Sequence, residues 1–269
     1  INKYIIILIV NMKILYKDTA VTLYNFIKQC KQEGYLQGKY CYCGRLDPMA
    51  SGKMLFLEDK ECSDMSAFLK CDKEYEFEIC LGISTDTDDI LGIIEEINFE
   101  TLNTFDTMGM LDKRLNTILL QTTQQYHKFS AFQIKHNNIR VNLCELSKQH
   151  KLNKQDIPSK PCKVHSIKKI NKKTVNLIYY INIILQTLES LHDPNDYYRK
   201  QEIIKRWKKF KDTIHQHLEL ELIIYKYKIT VSSGFYIRQL IADLKNNCNF
   251  PLMVLNIKRT QIYKDGCPL

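Results

Sequence analysis

The chain has 269 residues, 45% hydrophobic and 26% charged, the composition of an ordinary globular protein able to bury one large core or two small ones. Its 39 basic and 30 acidic residues leave a formal charge of +9, which suits a polyanionic partner without requiring one. Ten scattered cysteines with no regular spacing exclude a disulfide scaffold and read as reduced thiols, and Cys41 and Cys43, C-x-C with no C-x-x-C or nearby His, exclude a zinc quartet.

The apolar run Tyr4 to Val10 is far short of the roughly 18 residues a membrane span needs and lacks a signal-peptide cleavage site. It is expected to be a strand, or else an extension upstream of a start at Met12, since the chain opens on Ile1. From Val21, Leu23, Phe26, Ile27 and Cys30 recur at helical spacing behind the capping candidates Asp18 and Thr19, which predicts a helix ending near Gly34. Next comes Cys43-Gly44-Arg45-Leu46-Asp47-Pro48-Met49-Ala50-Ser51-Gly52, a single carboxylate in a tight loop bounded by glycines. An Asp-Pro pair can simply open a turn, because Asp bonds the backbone ahead of it and Pro sets φ. Lys53 to Leu57 reads as a short buried strand behind that loop.

Residues Lys73 to Cys80 alternate, with Tyr75, Phe77 and Ile79 opposite Glu74, Glu76 and Glu78, as a half-buried strand does. The following Thr85-Asp86-Thr87-Asp88-Asp89 lacks the Gly and Glu of a calcium loop and is expected to be an Asx-rich turn. Between Asn171 and Leu218 a long apolar stretch, the turn Asp193-Pro194-Asn195-Asp196 and a basic run predict a helical insertion. There Trp207 and Phe210 share a packing face with Ile203 and Ile204, while Lys205, Arg206, Lys208 and Lys209 form a solvated face or a patch for an RNA backbone. Ile223 to Val231 alternates again, and Ile237, Leu240, Ile241 and Leu244 then trace a helix with Arg238 in its first turn. The sum is an α+β chain, a mixed and mainly antiparallel sheet flanked by helices.

Four ordered blocks resemble the TruB family of pseudouridine synthases, which isomerise a uridine in the T-loop of tRNA. They are Gly44 to Gly52 around Leu46-Asp47-Pro48, Lys73-Glu74-Tyr75 with Leu81-Gly82 and Thr85 to Asp89, Lys128 to Lys135, and Val231 to Arg238. Looser matches are Leu15 to Thr22 around Lys17, and Leu255 to Thr260 near the end. The resemblance implies the pseudouridine synthase fold as a single domain over residues 1–269, its core at about 12–170 and 218–266, with 171–217 as a helical, basic insertion. It also implies that the small RNA-binding PUA domain of bacterial members is missing.

The implied reaction cuts the uridine N-glycosidic bond, turns the base and rejoins it through C5, with no cofactor and no metal. On that reading Asp47 is the nucleophile or charge stabiliser, Arg238 its charge partner, and Tyr75 the ring that stacks on uracil and whose hydroxyl can take the C5 proton. Lys17, Tyr42, Arg45, Lys135, Lys205, Arg206, Lys258 and Arg259 are the expected RNA contacts. Two positions depart from the family: Tyr42 stands where a histidine is usual, and Arg45 makes Gly-Arg-Leu-Asp, as in synthases acting on ribosomal RNA. The expected partner is the T-arm of tRNA, met by a monomer, away from membranes, in a reducing intracellular compartment, the cytoplasm first and the nucleus or an organelle next. Another RNA, or a catalytically silent RNA-binding role, is the alternative.

Overall fold

The computed structural model describes residues 5–9, 11–103, 107–217, 219–248 and 250–269. Among these, nine strands form one sheet whose backbone order is Ile5–Ile9, Met12–Lys17, Ala50–Glu58, Leu252–Lys264, Asp72–Leu81, Glu221–Val231 and Val164–Asn176. Tyr40–Tyr42 adds to Ala50–Glu58 and Cys267–Pro268 to Leu252–Lys264. All pairings are antiparallel except that of Ala50–Glu58 with Leu252–Lys264, which sets Gly52 opposite Arg259. The α+β reading therefore describes the chain, and its alternating segments lie at the sheet's centre.

Alternation works here because one face of each strand packs on helices and the other meets partners across the sheet. Along Asp72–Leu81 the residues Tyr75, Phe77 and Ile79 are buried in the main core, while Glu74, Glu76 and Glu78 pair with Lys228, Lys226 and Lys173. The helix Leu23–Gln32 presses Phe26 and Cys30 onto that core, and Ile237–Asn247 adds Leu240, Ile241 and Leu244. The first helix starts later than expected: Thr22, not Asp18 or Thr19, is its cap, its hydroxyl accepting from Asn25 N at 3.1 Å. Of the apolar run Tyr4 to Val10, Ile5–Ile9 pairs as a strand with Met12–Lys17, and Tyr4 and Val10 lie outside the described residues.

The expected insertion begins later than residue 171. Residues 171–176 complete the strand Val164–Asn176, paired through Asn176 with Glu221, because the neighbouring strand Glu221–Val231 offers partners along its whole length. Two helices follow, Leu177–Ser190 and Lys200–Thr213, joined by a turn over 191–199. They make a second core in which Trp207 is fully buried among residues such as Ile184, Leu188 and Ile203. That core also contains Met49 and Leu91, so the helices are fastened beside the Asp47 loop.

Candidate active site

Asp47 heads a turn closed by a 3.1 Å bond from Ala50 N to Asp47 O, with Pro48 and Met49 between them. Two buried cations hold this loop. Lys17 Nζ donates to Asp18 O at 3.0 Å, Pro48 O at 3.2 Å and Ala50 O at 2.7 Å. Arg259 Nε donates to Lys53 O at 2.6 Å and Nη2 to Gly44 O at 3.1 Å. Gly52, at φ +120°, lets the parallel strands approach; a Cβ there would overlap the Arg259 backbone.

These contacts correct two expectations. Lys17 is 0% exposed and Arg259 is 1% exposed, so neither presents its charge to phosphate. Carbonyls at a tight loop need donors, and long cationic side chains from the flanking strands supply them. Burial pushes the Lys17 ammonium down to about 7, against the pull of the Asp47 and Asp18 carboxylates.

Arg238 reaches Asp47 from the first turn of the helix Ile237–Asn247. Its Nε donates to Asp47 Oδ2 at 2.8 Å, and Nη2 lies 2.8 Å from the same oxygen. The residue before the helix is pinned by an amide clamp: Gln124 Nε2 donates to Tyr236 O at 3.1 Å and Tyr236 N donates to Gln124 Oε1 at 2.9 Å. Burial alone would raise the Asp47 carboxyl, but the Arg238 guanidinium outweighs it and holds the group below the ordinary carboxylate range. Asp47 is thus ionised at neutral pH, with both Arg238 contacts on Oδ2.

Behind the pair stands a buried network that sequence reasoning missed. Asp89 Oδ2 is 3.7 Å from Arg238 Nε, and its Oδ1 accepts from Thr87 Oγ1 and Leu91 N, each at 2.9 Å. Burial raises its carboxyl to about 6, although Arg238 opposes the shift. His127, fully buried, sits 3.0 Å from Asp88 Oδ2 through Nε2, while its Nδ1 accepts from Phe129 N at 3.2 Å. This makes Nε2 the protonated nitrogen of a neutral ring, since burial and the nearby Arg238 push the imidazole down to about 4. Asp88 is also paired with Lys245 at 2.7 Å, and Phe129 O accepts from Arg238 Nη2 at 3.4 Å. The Thr85 to Asp89 run is a turn, as its Asx-rich composition predicts, yet it buries Asp88 and Asp89. No local pattern signals that burial.

Asp47 lies where two cavities of about 210 and 300 Å³ meet, at or below the small end of ligand pockets, which run about 300–1,000 Å³. Each has room for about one base. Tyr75, 8% exposed, lines the larger one with Phe235 and Lys73. Tyr197, Tyr198 and Arg199, from the turn 191–199, line the smaller one; the sequence marks Arg199 only as part of a basic run and gives no signal for the two tyrosines. Arg45 is exposed and lines both.

The other expected contacts are spread out. Tyr42 is half-buried, edge-on to Phe56 at 6.5 Å between ring centres. Lys135 is exposed on the hairpin of Gln133–His136 and Ile139–Asn142, and Lys258 is exposed with its Nζ 5.8 Å from the Tyr16 ring centre. Lys205 and Arg206 are exposed on the second insertion helix, where Arg206 Nε bonds Glu202 at 2.7 Å. Among the described residues, no group of three or more His, Cys, Asp or Glu could hold a metal, and no helix is long and apolar enough to cross a membrane.

A mixed sheet carrying an ionised carboxylate on a buried guanidinium, where two small cavities meet, defines a protein that sets a fixed negative charge against whatever enters them. Comparison with known proteins says which. The model of the TruB family pseudouridylate synthase N-terminal domain matches residues 31–187, more than half of the chain, and the chain belongs to that family. The tRNA pseudouridine synthase B of Mycoplasma mobile is 25% identical over 249 residues, covering 93% of this chain and 67% of that protein. Among solved structures, an H/ACA RNP bound to a substrate RNA containing 2'-deoxyuridine matches at 15% identity and TM-score 0.43, covering 93% of this chain and 47% of that one. A Cbf5-Nop10-Gar1 complex matches at 14% identity and TM-score 0.44, over 93% and 48%. The chain therefore spans about half the length of those solved chains.

Proposed function

We propose that this protein is an isomerase that converts uridine to pseudouridine in RNA, with Asp47 as nucleophile and uridine 55 in the T-loop of tRNA as substrate. The observation that carries the reading is the Asp47–Arg238 pair at the meeting of the two cavities, in a chain of the TruB family. The name of the Mycoplasma mobile relative supports tRNA as the substrate class.

The chemistry follows from the geometry. A uridine flipped out of its stack enters the Tyr75 cavity. As the N1–C1′ bond breaks, the pair of electrons leaves with the base, and the Asp47 carboxylate bonds the electron-poor C1′. The detached uracil turns on the Tyr75 ring, C5 attacks C1′ and the carboxylate departs. The C5 proton is then lost to a water, or to the Tyr75 oxygen as the hydroxyl's own proton passes to water, and N1 takes up a proton, so the product is an isomer of the substrate. Arg238 keeps Asp47 charged before it attacks and stabilises the carboxylate again as it departs, which makes it a good leaving group. Arg45 favours a second substrate, a different RNA such as ribosomal RNA, because Gly-Arg-Leu-Asp is the form similar to synthases acting there.

The test is release of tritium from C5-labelled uridine in a tRNA T-arm and in total cellular RNA. Release from the T-arm is expected, and Asp47→Asn is expected to abolish it while leaving RNA affinity within about twofold, since the exchange is isosteric and removes only charge. Tight binding without release from any RNA would leave a silent RNA-binding protein, and full activity in Asp47→Asn would remove Asp47 from the mechanism.

A further inference from the structure

The turn between the two insertion helices does more than connect them. Asp193 caps it from within, its two carboxylate oxygens accepting from Tyr197 N and Tyr198 N at 2.9 Å each, and Asp196 Oδ1 accepts from Gln201 N at 3.0 Å. Lys200 Nζ closes the base of the turn on Glu189 O at 2.8 Å and Leu191 O at 2.6 Å. The turn is therefore shaped by its own bonds.

It is also fastened to the site. Arg199 Nη1 lies 2.7 Å from Asp86 Oδ2, in the turn that supplies Asp89, and its guanidinium stands 5.0 Å from the Phe129 ring centre. Lys148 Nζ donates to Tyr197 O at 2.6 Å and sits over the Tyr197 ring at 3.5 Å. Arg199 holds φ +59°, a conformation an arginine adopts at a cost, and these contacts keep it there. A strained residue held by an ion pair and lining a cavity calls for a role beyond connection.

The two cavities share Arg45, Asp47, Tyr236 and Arg238. A dinucleotide laid across them would have one base beside Tyr75, the other beside the turn, and the linking phosphate over Arg45, which forms no ion pair among the described residues. Lys148 covers the face of Tyr197. No described cation or stacked ring covers Tyr198, which meets Tyr197 edge-on at 86°.

We infer that the turn 191–199 is a second nucleotide-binding wall of the Asp47 site, in which Tyr198 stacks on the base adjoining the target uridine and Arg45 binds the phosphate between them. This rests on the reading of the site as one that acts on RNA. The wall is preformed, so the ordering cost of recruiting a loop to that base is already met on folding.

The experiment crosses Tyr198 with the RNA. A T-arm stem–loop is made intact and with an abasic nucleotide on either side of the target uridine, and kcat, KM and equilibrium binding are measured for the wild type, Tyr198→Leu and Tyr198→Phe. Leu keeps the bulk that packs on the second core, and Phe keeps the ring. In the wild type one of the two abasic RNAs is expected to lose about tenfold in KM and in binding, the scale of one base–aromatic stack. Tyr198→Leu is expected to lose the same on intact RNA and nothing further on that abasic RNA, while Tyr198→Phe behaves as wild type. Turnover with additive losses at both neighbours would overturn the wall and leave the synthase reading intact. Coupled losses in binding without any turnover would sink the synthase reading and keep the wall; neither turnover nor binding would sink both.

Discussion

Arg238 and Asp47, 191 residues apart in the chain, meet through two 2.8 Å contacts on a single carboxylate oxygen. That geometry needs a planar guanidinium. Arg238→Lys keeps the charge and loses one charge-assisted bond, about 1.5–3 kcal/mol, which corresponds to a fall in kcat of about 10- to 100-fold. Arg238 holds the Asp47 carboxyl low, so a weaker partner lets it rise. The acid limb of the pH–rate profile should therefore move to higher pH in the variant. An unmoved limb would mean that the pair does not set the charge of Asp47.

Lys17 is a brace and not a phosphate contact. Lys17→Met strips donors from Asp18, Pro48 and Ala50 carbonyls and should cost about 1–3 kcal/mol. At about 2–4 °C per kcal/mol, a melting temperature several degrees lower is expected. The slope of log Kd for RNA against log salt should be unchanged, because no phosphate charge is lost. A slope reduced by about one would restore Lys17 to the RNA surface.

His127 makes stability depend on pH. Its folded-state value of about 4 lies below the ordinary 6.5, so between those values the unfolded chain binds a proton that the fold excludes. Its contribution is complete above pH 6.5 and is lost as pH falls toward 4, by roughly 2–4 kcal/mol. Asp89, raised to about 6, acts in the opposite sense but is common to wild type and variant. Denaturant titrations should therefore show the wild type losing stability faster than His127→Gln across this window, and parallel curves would count against the neutral buried ring.

Neutralising Lys205, Arg206, Lys208 and Lys209 together tests the basic helix. Arg206 and Lys208 already pair with Glu202 and Glu189, which leaves Lys205 and Lys209 as the stronger candidates for RNA phosphate. With about 0.7–0.9 units of salt slope per contact, a reduction of roughly 1–2 is expected in RNA binding. An unchanged slope would make this face a solvated surface only.

Some of the site was legible in the chain and some was not. Asp47, Tyr75 and Arg238 stand in short blocks, a glycine-bounded turn, an alternating strand and the first turn of a helix, and it is the resemblance of those blocks to the TruB family that marks these residues. Those blocks are the ones that converge on the two cavities. Lys17 and Arg259 lie in equally recognisable places, yet their direction was misjudged, because a basic residue on a strand can point to solvent or into a loop's carbonyls. Tyr198 carries no signal in a stretch where only helices and charge are visible, and Arg199 reads there only as one residue of a basic run.

Strands and helices are legible locally in the chain, and so is the Asp47 carboxylate in its glycine-bounded turn. Periods of 2 and 3.6 are imposed by the need of each element to bury one face, and that need is written locally. Which distant groups meet is set instead by the fold. The parallel register that puts Gly52 opposite Arg259 buries that arginine under the Asp47 loop, and packing of the second core carries Tyr198 and Arg199 to the far wall. Both follow from pairing between segments far apart in the chain, where the partner of a buried charge or ring is set by register and packing and not by its own neighbours.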